Sequence, residues 1–445
     1  MKIQKFDAYR LITQTAIVLN RHFPEFEQLL SSLPDSRKRP RYKVQELAMA
    51  VITMFLYKRG SRNNADNTAE KINYKKNIEQ VFKMKLPDLD TSNRLMKELA
   101  PSELEAIKKE MVSIMIKRKV LNKFRIMNLY YNVAIDGTGV HSYKYEPYPG
   151  CPYKEYQSGI KVWTAMVLEA KIVCTNGFSI SIATEWIKNP TDKESDKQDS
   201  ELKAFIRLSG KIKKLYPRLP VVIAADGLYP NNTVFDICQR NSWKYIITLK
   251  DGNLKTVWQE IDFLDRINDN IKDRKLKRKP NLLIAEDYKA YQNIEYQKHK
   301  LNIVDAIIKK TSLNDVKNIP DKRFAHVTNF SLRKQNLQEI SYSGRMRWKI
   351  ENEGFKEQKN TGYNLQHKYS RTSFIATQNY YQCLQIAHMI NQLASKSNTI
   401  NKIIKANDTW KSWEEMVIAI LIVDDLGKEK KIIEQIINEN YQLRY

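Results

Sequence analysis

The chain has 445 residues, which is enough for two or three domains and a large hydrophobic core. Its 75 lysines and arginines outnumber its 50 aspartates and glutamates, which gives a net charge of +25. Such a surplus predicts a polyanionic partner, nucleic acid in the first place and an anionic membrane in the second.

The sequence also argues against several classes of protein. Its longest uncharged apolar runs, residues 49–56 and 416–423, are far shorter than the ~20 residues of a membrane-spanning helix, so we expect no membrane partner. The N-terminus, MKIQKFDAYR, lacks the apolar segment of a secretory signal. The four cysteines are far apart without CxxC pairing, which favours a reducing cytosol and gives no indication of zinc. They are Cys151, Cys174, Cys238 and Cys383.

The first 125 residues are predicted to be mostly helical. Apolar residues favour helices over residues 44–57, 91–99 and 101–117, and Pro101 occupies a first helical turn, where proline is tolerated. The basic run RKRPRYK, residues 37–43, precedes the first of these helices. The pattern predicts a helical N-terminal domain with a basic surface.

The pattern changes near residue 129, where strands begin. NLYYNVAID predicts a first strand, and residues 161–168 and 178–184 predict two more, with a hairpin turn at Asn176 and Gly177. An amphipathic helix is predicted over residues 199–216. A strand over residues 221–225, a helix over 232–240 and a strand over 243–249 follow.

This β-β-β-α-β-α-β order predicts an antiparallel meander extended by parallel strands, which is the order of a ribonuclease H-like core. Asp136 ends the first strand and Asp226 ends the fourth, so a mixed sheet would make them neighbours although 90 positions separate them. A third acid, Glu351, lies in the Arg/Lys-rich stretch RMRWKIENEGFKEQK. Three such carboxylates can hold two divalent metal ions, and two metals can drive in-line displacement at a phosphodiester.

Residues 266–335 are predicted to be a β-rich insertion, with strands over 291–296, 301–308 and 324–330. The very basic stretch DRKLKRKP, residues 273–280, is predicted to be a mobile connection. Helices are predicted from Arg345 onward, including residues 379–393 and 410–423.

On a helix, Arg347 and Glu351 are four residues apart and share a face. Taken alone, they are best interpreted as an ordinary exposed ion pair worth about 0.3–0.5 kcal/mol. The order of strand Asp, strand Asp and helix Glu in a basic chain favours a functional role. Glu353 lies roughly 200° around the helix from Glu351, so the two cannot face one metal pair.

The segments AIDGTG, ADGLYPNN and RWKIENEGFKEQKNTGYNL resemble the DDE transposases of bacterial insertion sequences, in the cut-and-paste branch with a β-rich insertion. The resemblance covers about residues 40–395. In this family the Glu helix carries Tyr, two residues, Arg, three residues, Glu, six residues, Lys. Arg347 and Glu351 fit that pattern, while Gly344 occupies the Tyr position and Gln358 the Lys position. Lys359 comes one residue late, about 80° away from Glu351 on an ideal helix.

The resemblance implies a DNA transposase that cleaves at element ends and transfers the strand into target DNA. It implies two Mg²⁺ ions per site, with Mn²⁺ as a substitute, bridged by Asp136 and held singly by Asp226 and Glu351. Water and then the new 3′-OH would be the nucleophiles. Arg347 and Lys359 would hold phosphates near the scissile site, and Arg345 and Lys356 are further expected DNA contacts.

The domain organisation that follows combines a ribonuclease H-like mixed sheet with helical and β-rich parts. The expected partners are double-stranded DNA, both terminal inverted repeats and target, and a second copy of the chain in a synaptic complex. The expected location is the bacterial cytoplasm, at the nucleoid. The expected parts are a helical DNA-binding domain (1–125), the first part of the core (126–265), the insertion (266–335), the Glu helix (336–370) and a helical C-terminal region (371–445).

Other candidate residues have simpler interpretations. His141 suggests a structural or surface histidine, and Asp251 suggests a turn residue. Tyr229 and Asn231 are equally consistent with DNA contact and with entry into a helix. The basic stretches 37–43 and 274–279 suit phosphate contacts and solvated charge runs about equally. No GxxxxGK[ST] loop is present, so an ATP-driven enzyme is unsupported.

Two alternative functions remain open at this point. One is a two-metal DNA nuclease that cuts without strand transfer. The other is a non-catalytic DNA-binding protein derived from a transposase, against which the intact acidic trio argues.

Overall fold

The computed structural model describes residues 5–189, 197–313, 318–403, 410–439 and 441–443. Residues 1–4, which belong to the N-terminal segment considered above, lie outside these ranges. The predicted helical character of the first 125 residues is confirmed. The helices there are α1 (Lys5–His22), α2 (Phe26–Ser31), α3 (Val44–Leu56), α4 (Arg62–Ala69), α5 (Tyr74–Phe82), α6 (Leu89–Glu98) and α7 (Pro101–Lys117).

The rest of the chain is built on one large mixed sheet, so the protein is of the mixed α/β class. Ten strands join this sheet in the described part of the chain, in the order β2-β3-β1-β5-β6-β10-β9-β8-β7, with β4 also paired to β3. The strands are β1 (Tyr131–Tyr143), β2 (Tyr153–Glu155), β3 (Lys161–Val173), β4 (Ser179–Trp186), β5 (Val221–Ala225), β6 (Lys244–Thr248), β7 (Ile271–Lys279), β8 (Leu282–Tyr296), β9 (His299–Ser312) and β10 (Asn318–Thr328).

The predicted meander and crossovers are confirmed. β3 pairs antiparallel with both β1 and β4, and the turn before β4 contains Gly177 at φ +96°, a value that favours glycine. β5 pairs parallel with β1 and with β6. The crossover helices are α8 (Lys197–Leu215), which precedes β5, and α9 (Asn232–Arg240), which precedes β6; α10 (Lys255–Arg266) follows β6.

The inserted strands extend the same sheet, because β10 pairs antiparallel with β6. The expectation of a mobile connection over residues 273–280 is wrong, since β7 occupies most of this stretch and pairs with β8 along its whole length. β7 is an edge strand that is exposed along nearly all its length, so no apolar alternation identifies it in the sequence. Its lysines and arginines also discourage pairing with another chain's edge.

The C-terminal part is helical, as expected, and its described residues include a short 3-10 helix (Leu426–Glu429) besides α-helices. A π-helix (Ile350–Lys356) interrupts the segment that carries Glu351. The surrounding helices are α11 (Leu337–Arg345), α12 (Glu357–Asn360), α13 (Phe374–Ser395), α14 (Asn398–Ile403), α15 (Trp410–Val423) and α16 (Lys430–Ile437).

The hydrophobic core joins the helical and sheet parts. The buried helix α13 packs against α3, α6 and α7 on one side and against β4 on the other. On the insertion side, Leu337 and Ile340 of α11 pack against Tyr288, Val304 and Phe330 in a second apolar cluster. No helix in the described ranges has the length and apolar character needed to cross a membrane.

Candidate active site

The register of the sheet brings Asp136 and Asp226 to the same level. The parallel pairs run from Tyr131↔Val221 to Ala134↔Ala224, a constant offset of 90 residues. Two residues further along both strands, the same offset places Asp136, inside β1, beside Asp226, which directly follows β5. The predicted convergence of these two carboxylates is therefore confirmed. The expectation that Asp136 ends the first strand is wrong, because β1 continues to Tyr143.

Glu351 reaches the same edge from the π-helix, together with Arg347. Nη1 of Arg347 lies 2.8 Å from Oε1 of Glu351 and 3.9 Å from Oδ2 of Asp136. The guanidinium is buried, and its Nε and Nη1 make no aligned hydrogen bond to a described residue. The contacts of Arg347 with the two acids are thus close ion pairs without full hydrogen bonding.

The electrostatics of Asp136 reflect this crowding of acids. Burial is the main cause that raises the pKa of Asp136 to about 7, and the charges of Glu351 and Asp226 raise it further. Arg347 and a backbone hydrogen bond at Gly137 oppose the shift but do not cancel it. At a half-buried carboxylate beside two other acids, additional positive charge would be stabilising.

Lys359 also faces Asp136, whose charge favours the protonated lysine, although burial lowers the pKa of Lys359 overall. The π-helix explains this position, because a turn with i→i+5 hydrogen bonds takes up one residue more than an α turn. The extra residue moves Lys359 to where the seventh residue after Glu351 would stand on an α-helix, roughly 20° from Glu351. Gln358 is fully buried and exchanges hydrogen bonds with Gln385 on α13, so it points away from the site.

Gly344, at the family's Tyr position, is held by packing. A Cβ there would lie 2.4 Å from the His326 ring and 2.8 Å from Ile246. Since α11 rests directly on β10 and β6 at this point, any larger side chain would force the helix off the sheet. The site therefore has no counterpart of the tyrosine at position 344.

The other basic residues predicted to contact DNA lie elsewhere on this segment. Arg345 packs its guanidinium over the rings of Phe324 and Tyr342, at 5.3 and 5.4 Å, on the insertion side. Lys356 is exposed. Glu353 pairs with Lys349 at 3.0 Å and is absent from the charges that act on Asp136, as expected from its direction on the helix.

Lys250 belongs to the site, although no motif in the sequence identifies it. Its Nζ lies 3.9 Å from Oδ2 of Asp226. The residue follows β6 by two positions, next to Asp251, which attracted attention as a strand-ending acid. Asp251 is exposed and lies 3.6 Å from Arg323, so the interpretation as a turn residue holds. Only the parallel order of β5 and β6 could have pointed to Lys250.

The remaining candidates are placed as follows. His141 is buried, its Nδ1 lies 3.1 Å from the Gln366 carbonyl oxygen, and burial lowers its pKa to about 4, so it is a structural histidine. Asn231 caps α9 by accepting a hydrogen bond from the Val234 N–H at 3.1 Å. Tyr229 is buried near the site, where the charges of Glu201, Asp226 and Asp136 add to burial in raising its pKa.

Two arms of the sheet project beyond the level of the carboxylates. β1 continues seven residues past Asp136, paired with β3, which is about 23 Å of strand. On the other side, His326 of β10 pairs with Thr248 at the level of Asp226, and β10 begins eight residues earlier, about 26 Å beyond. Three strand-to-strand steps of about 20–25° twist separate β1 from β10, and β5 and β6 end between the two arms, so the sheet has a gap there.

The second arm includes all of β7, which pairs with β8 from the carboxylate level to the tip. This strand carries six basic side chains against a single acid, Asp273. They are Lys272, Arg274, Lys275, Lys277, Arg278 and Lys279. The basic stretch of residues 273–280 therefore projects from the same end of the sheet at which Asp136, Asp226 and Glu351 lie.

The carboxylates have the donor chemistry that Mg²⁺ and Mn²⁺ prefer, because both ions bind oxygen ligands. In the described ranges, no three His, Cys, Asp or Glu side chains are grouped tightly enough to form a metal site. Arg347 lies between Asp136 and Glu351, at 3.9 and 2.8 Å. A metal would therefore have to draw the acids together and displace this guanidinium.

Comparisons with known proteins do not identify a relative. The chain matches no protein-family model, and no curated protein matches it. What the protein does must therefore be argued from the site itself.

Proposed function

We propose that the protein is a DNA transposase of the DDE type, which cleaves DNA at the ends of its element and joins them to a target. The observation that carries the proposal is the convergence of Asp136, Asp226 and Glu351 at one sheet edge, with the pKa of Asp136 raised to about 7. A structural role would not require three acids to converge where cations only partly compensate them.

The strand order supports the proposal. The sheet contains an antiparallel meander (β1, β3 and β4) followed by the parallel strands β5 and β6. One acid lies on β1, one directly after β5 and one on a later helix. This is the arrangement expected of a ribonuclease H-like core. The inserted strands between the second and third acids agree with the cut-and-paste branch of the transposases that the motifs resemble. Fold alone does not define an activity, so the acids carry the argument.

The chemistry would be metal-assisted phosphodiester cleavage. Two Mg²⁺ ions, or Mn²⁺ in their place, would activate the attacking oxygen and stabilise the leaving oxyanion. Asp136, Asp226 and Glu351 would hold these ions. Arg347 and Lys359 would then donate to phosphate oxygens beside the scissile bond, as charge-assisted hydrogen bonds.

The surroundings of the site suit duplex DNA. The gap between the two arms lies at the level of the carboxylates, and β7, at the outer edge of the second arm, adds basic side chains to that arm. The net charge of +25 gives the whole molecule an attraction for phosphates. The N-terminal helices would bind the terminal repeats, and two copies of the chain would hold the two element ends in one synaptic complex.

The test is an assay of both reaction steps with the full chain. A linear DNA that carries the gene with its natural flanks is incubated with Mg²⁺, and new 3′-OH ends are mapped by tailing with terminal transferase and sequencing. Pre-cleaved ends are then incubated with a supercoiled plasmid to detect strand transfer. We expect both products with Mg²⁺ and neither with EDTA or with Asp136→Ala.

The outcomes separate the alternatives. Cleavage without plasmid joining would indicate a nuclease of the same fold. DNA binding without any cleavage would indicate a non-catalytic DNA-binding protein. Cleavage that survives Asp136→Ala would contradict the site itself. A complex that contains one copy of the chain with both ends bound, measured by light scattering, would contradict the proposed synaptic dimer.

A further inference from the structure

Lys250 lies beside Asp226, two residues after the end of the neighbouring strand β6. β5 and β6 are in parallel register through Ala225↔Ile247, so Asp226 is level with Thr248. Lys250 comes two residues later, on the side of the edge from which the two arms project. Its side chain is 60% exposed, and its Nζ lies 3.9 Å from Oδ2 of Asp226.

The backbone of Lys250 is held firmly although its ammonium is exposed. Its carbonyl oxygen accepts hydrogen bonds from Trp258 Nε1 at 3.1 Å and from the Asn253 N–H at 2.9 Å. Its own N–H donates to Oδ1 of Asn253 at 3.3 Å. The Arg323 guanidinium lies 4.8 Å from the Trp258 ring and covers it. The ammonium group of Lys250 is thus exposed to solvent, while its backbone is held by hydrogen bonds.

Gly227 makes room for the path of this side chain. A Cβ at Gly227 would lie 2.7–2.8 Å from Cγ, Cδ and Cε of Lys250, closer than side-chain atoms normally approach. The lysine therefore reaches Asp226 by crossing the glycine backbone. Any other residue at position 227 would push the lysine away from Asp226.

Each of the three acids of the site lies near at least one cation, and Arg347 lies near two of the acids. Glu351 is held by the buried Arg347 at 2.8 Å, and Asp136 faces the half-buried Lys359. Asp226 has Lys250, which is the most exposed of the three cations and makes a long contact. An exposed pair at this distance is weak, so Lys250 is the cation that a metal ion would replace most easily.

We propose that Lys250 is a phosphate-binding residue of the active site, which pairs with Asp226 in the metal-free protein and turns to a DNA phosphate when a divalent ion occupies Asp226. This inference rests on the proposed function, since it assumes that DNA enters the gap between the two arms of the sheet, next to the acids. It assigns the Lys250–Gly227 pair a role that the family motifs do not give it. It also makes part of the affinity for DNA dependent on the metal.

The test measures the salt dependence of DNA binding by the full chain to a 40-bp duplex taken from the flank of the gene. Affinity is measured at several salt concentrations in Ca²⁺, which takes oxygen ligands, and in EDTA. One lost phosphate contact lowers the slope of log affinity against log salt by about 0.9. We expect Lys250→Ala to lower the slope by this amount in Ca²⁺, with roughly tenfold weaker binding, and to leave it unchanged in EDTA.

Two further variants sharpen the test. Lys255→Ala removes the same charge from an exposed position of the adjoining helix and should leave both slopes unchanged. Gly227→Ala should push Lys250 off Asp226 and raise the slope in EDTA towards the value in Ca²⁺. An unchanged slope for Lys250→Ala in Ca²⁺, or an equal fall for Lys255→Ala, would overturn the inference.

The failure of this inference differs from failure of the proposed function. A wild-type protein that cleaves its flanking DNA with Mg²⁺, while Lys250→Ala keeps the wild-type slope in Ca²⁺, refutes the role of Lys250 alone. A wild-type protein that never cleaves refutes the transposase, and the two slopes still decide whether Lys250 contacts phosphate.

Discussion

Two carboxylates on neighbouring strands of the sheet have opposite surroundings. Asp136 on β1 and Glu169 on β3 are direct partners in the antiparallel register. Asp136 lies at the open edge among other acids, and burial raises its pKa to about 7. Glu169 is fully buried, yet both of its oxygens accept hydrogen bonds, from Ser181 at 2.7 Å and from Thr184.

The surroundings of Glu169 form a closed polar network. The buried Lys108 of α7 donates to the hydroxyls of Ser181 and Thr184, both at 2.9 Å, and these hydroxyls donate to Glu169. Lys171, also buried, donates to Gln385 of α13 at 3.0 Å. The network links the N-terminal helices, the sheet and α13.

The difference between the two acids separates a structural role from a catalytic one. A buried carboxylate fixes the packing of its neighbours when its oxygens are fully hydrogen-bonded and its charge is compensated. When the hydrogen bonds and opposite charges are incomplete, the carboxylate is costly to ionise, and such a residue is a candidate for a functional site. Four predictions test this contrast.

The largest effect is expected on the helix that carries Glu351. Glu351→Gln should reduce the rate of DNA cleavage by roughly a thousandfold or more, because it removes one of the three carboxylates that we propose to hold the metal ions. Glu353→Gln is the matched control, since Glu353 pairs with Lys349 and should change the rate less than about threefold. The measurement is single-turnover cleavage, and equal losses in both variants would remove the distinction between the two acids.

The next effect concerns the stability of the buried network. Glu169→Gln should lower the free energy of unfolding by about 3–5 kcal/mol, because it leaves the buried Lys108 and Lys171 without their carboxylate. Chemical denaturation measures the change. A loss below about 1 kcal/mol would mean that the hydroxyls and amides satisfy both lysines without Glu169.

Substitution of Asp136, the register partner of Glu169, should raise the free energy of unfolding at alkaline pH. The pKa of Asp136 is raised in the folded protein, so the folded state loses stability as pH rises from about 4 through 7 and Asp136 ionises. Asp136→Asn lacks this loss and should be more stable than wild type by on the order of 2–4 kcal/mol at pH 8.5. At pH 4 the two proteins should be nearly equal. A wild type that is the more stable protein at pH 8.5 would contradict the surroundings described for Asp136.

The smallest effect tests the π-helix. Lys359→Ala should slow cleavage roughly 10- to 100-fold, the loss of one charge-assisted hydrogen bond to phosphate, without changing stability appreciably. Gln358→Ala should instead lower stability, since Gln358 bonds with Gln385 in the core, and leave the rate per folded molecule within about threefold. Rate constants and unfolding curves for both variants decide the matter. The reverse result would place position 358 at the site.

Much of this fold could be predicted from residue patterns alone. The apolar run that leads into Asp136, the strand that ends just before Asp226 and the helical spacing of Arg347 and Glu351 carry local signals that match the structure. The continuation of β1 past Asp136 to Tyr143 carries no such signal. The strand β7 carries no such signal, because both of its faces are exposed and charged. Its pairing depends on β8, which lies farther along the chain.

The details of the site depended on information that the sequence does not carry locally. The 80° displacement of Lys359 follows from an ideal α-helix, whereas the π-helix absorbs one residue and restores the lysine to the acids. Lys250 depends on the parallel pairing of β5 with β6 and on the absence of a side chain at Gly227. Both features come from tertiary packing.

The most direct test of the central claim is a count of Mn²⁺ ions bound to the chain in complex with duplex DNA, by electron paramagnetic resonance. If Asp136, Asp226 and Glu351 form one two-metal site, wild type and Glu353→Gln should each bind about two Mn²⁺ per chain in that complex. Asp136→Asn should bind less than about one. Equal Mn²⁺ binding by all three proteins would contradict the claim that these acids form the metal site.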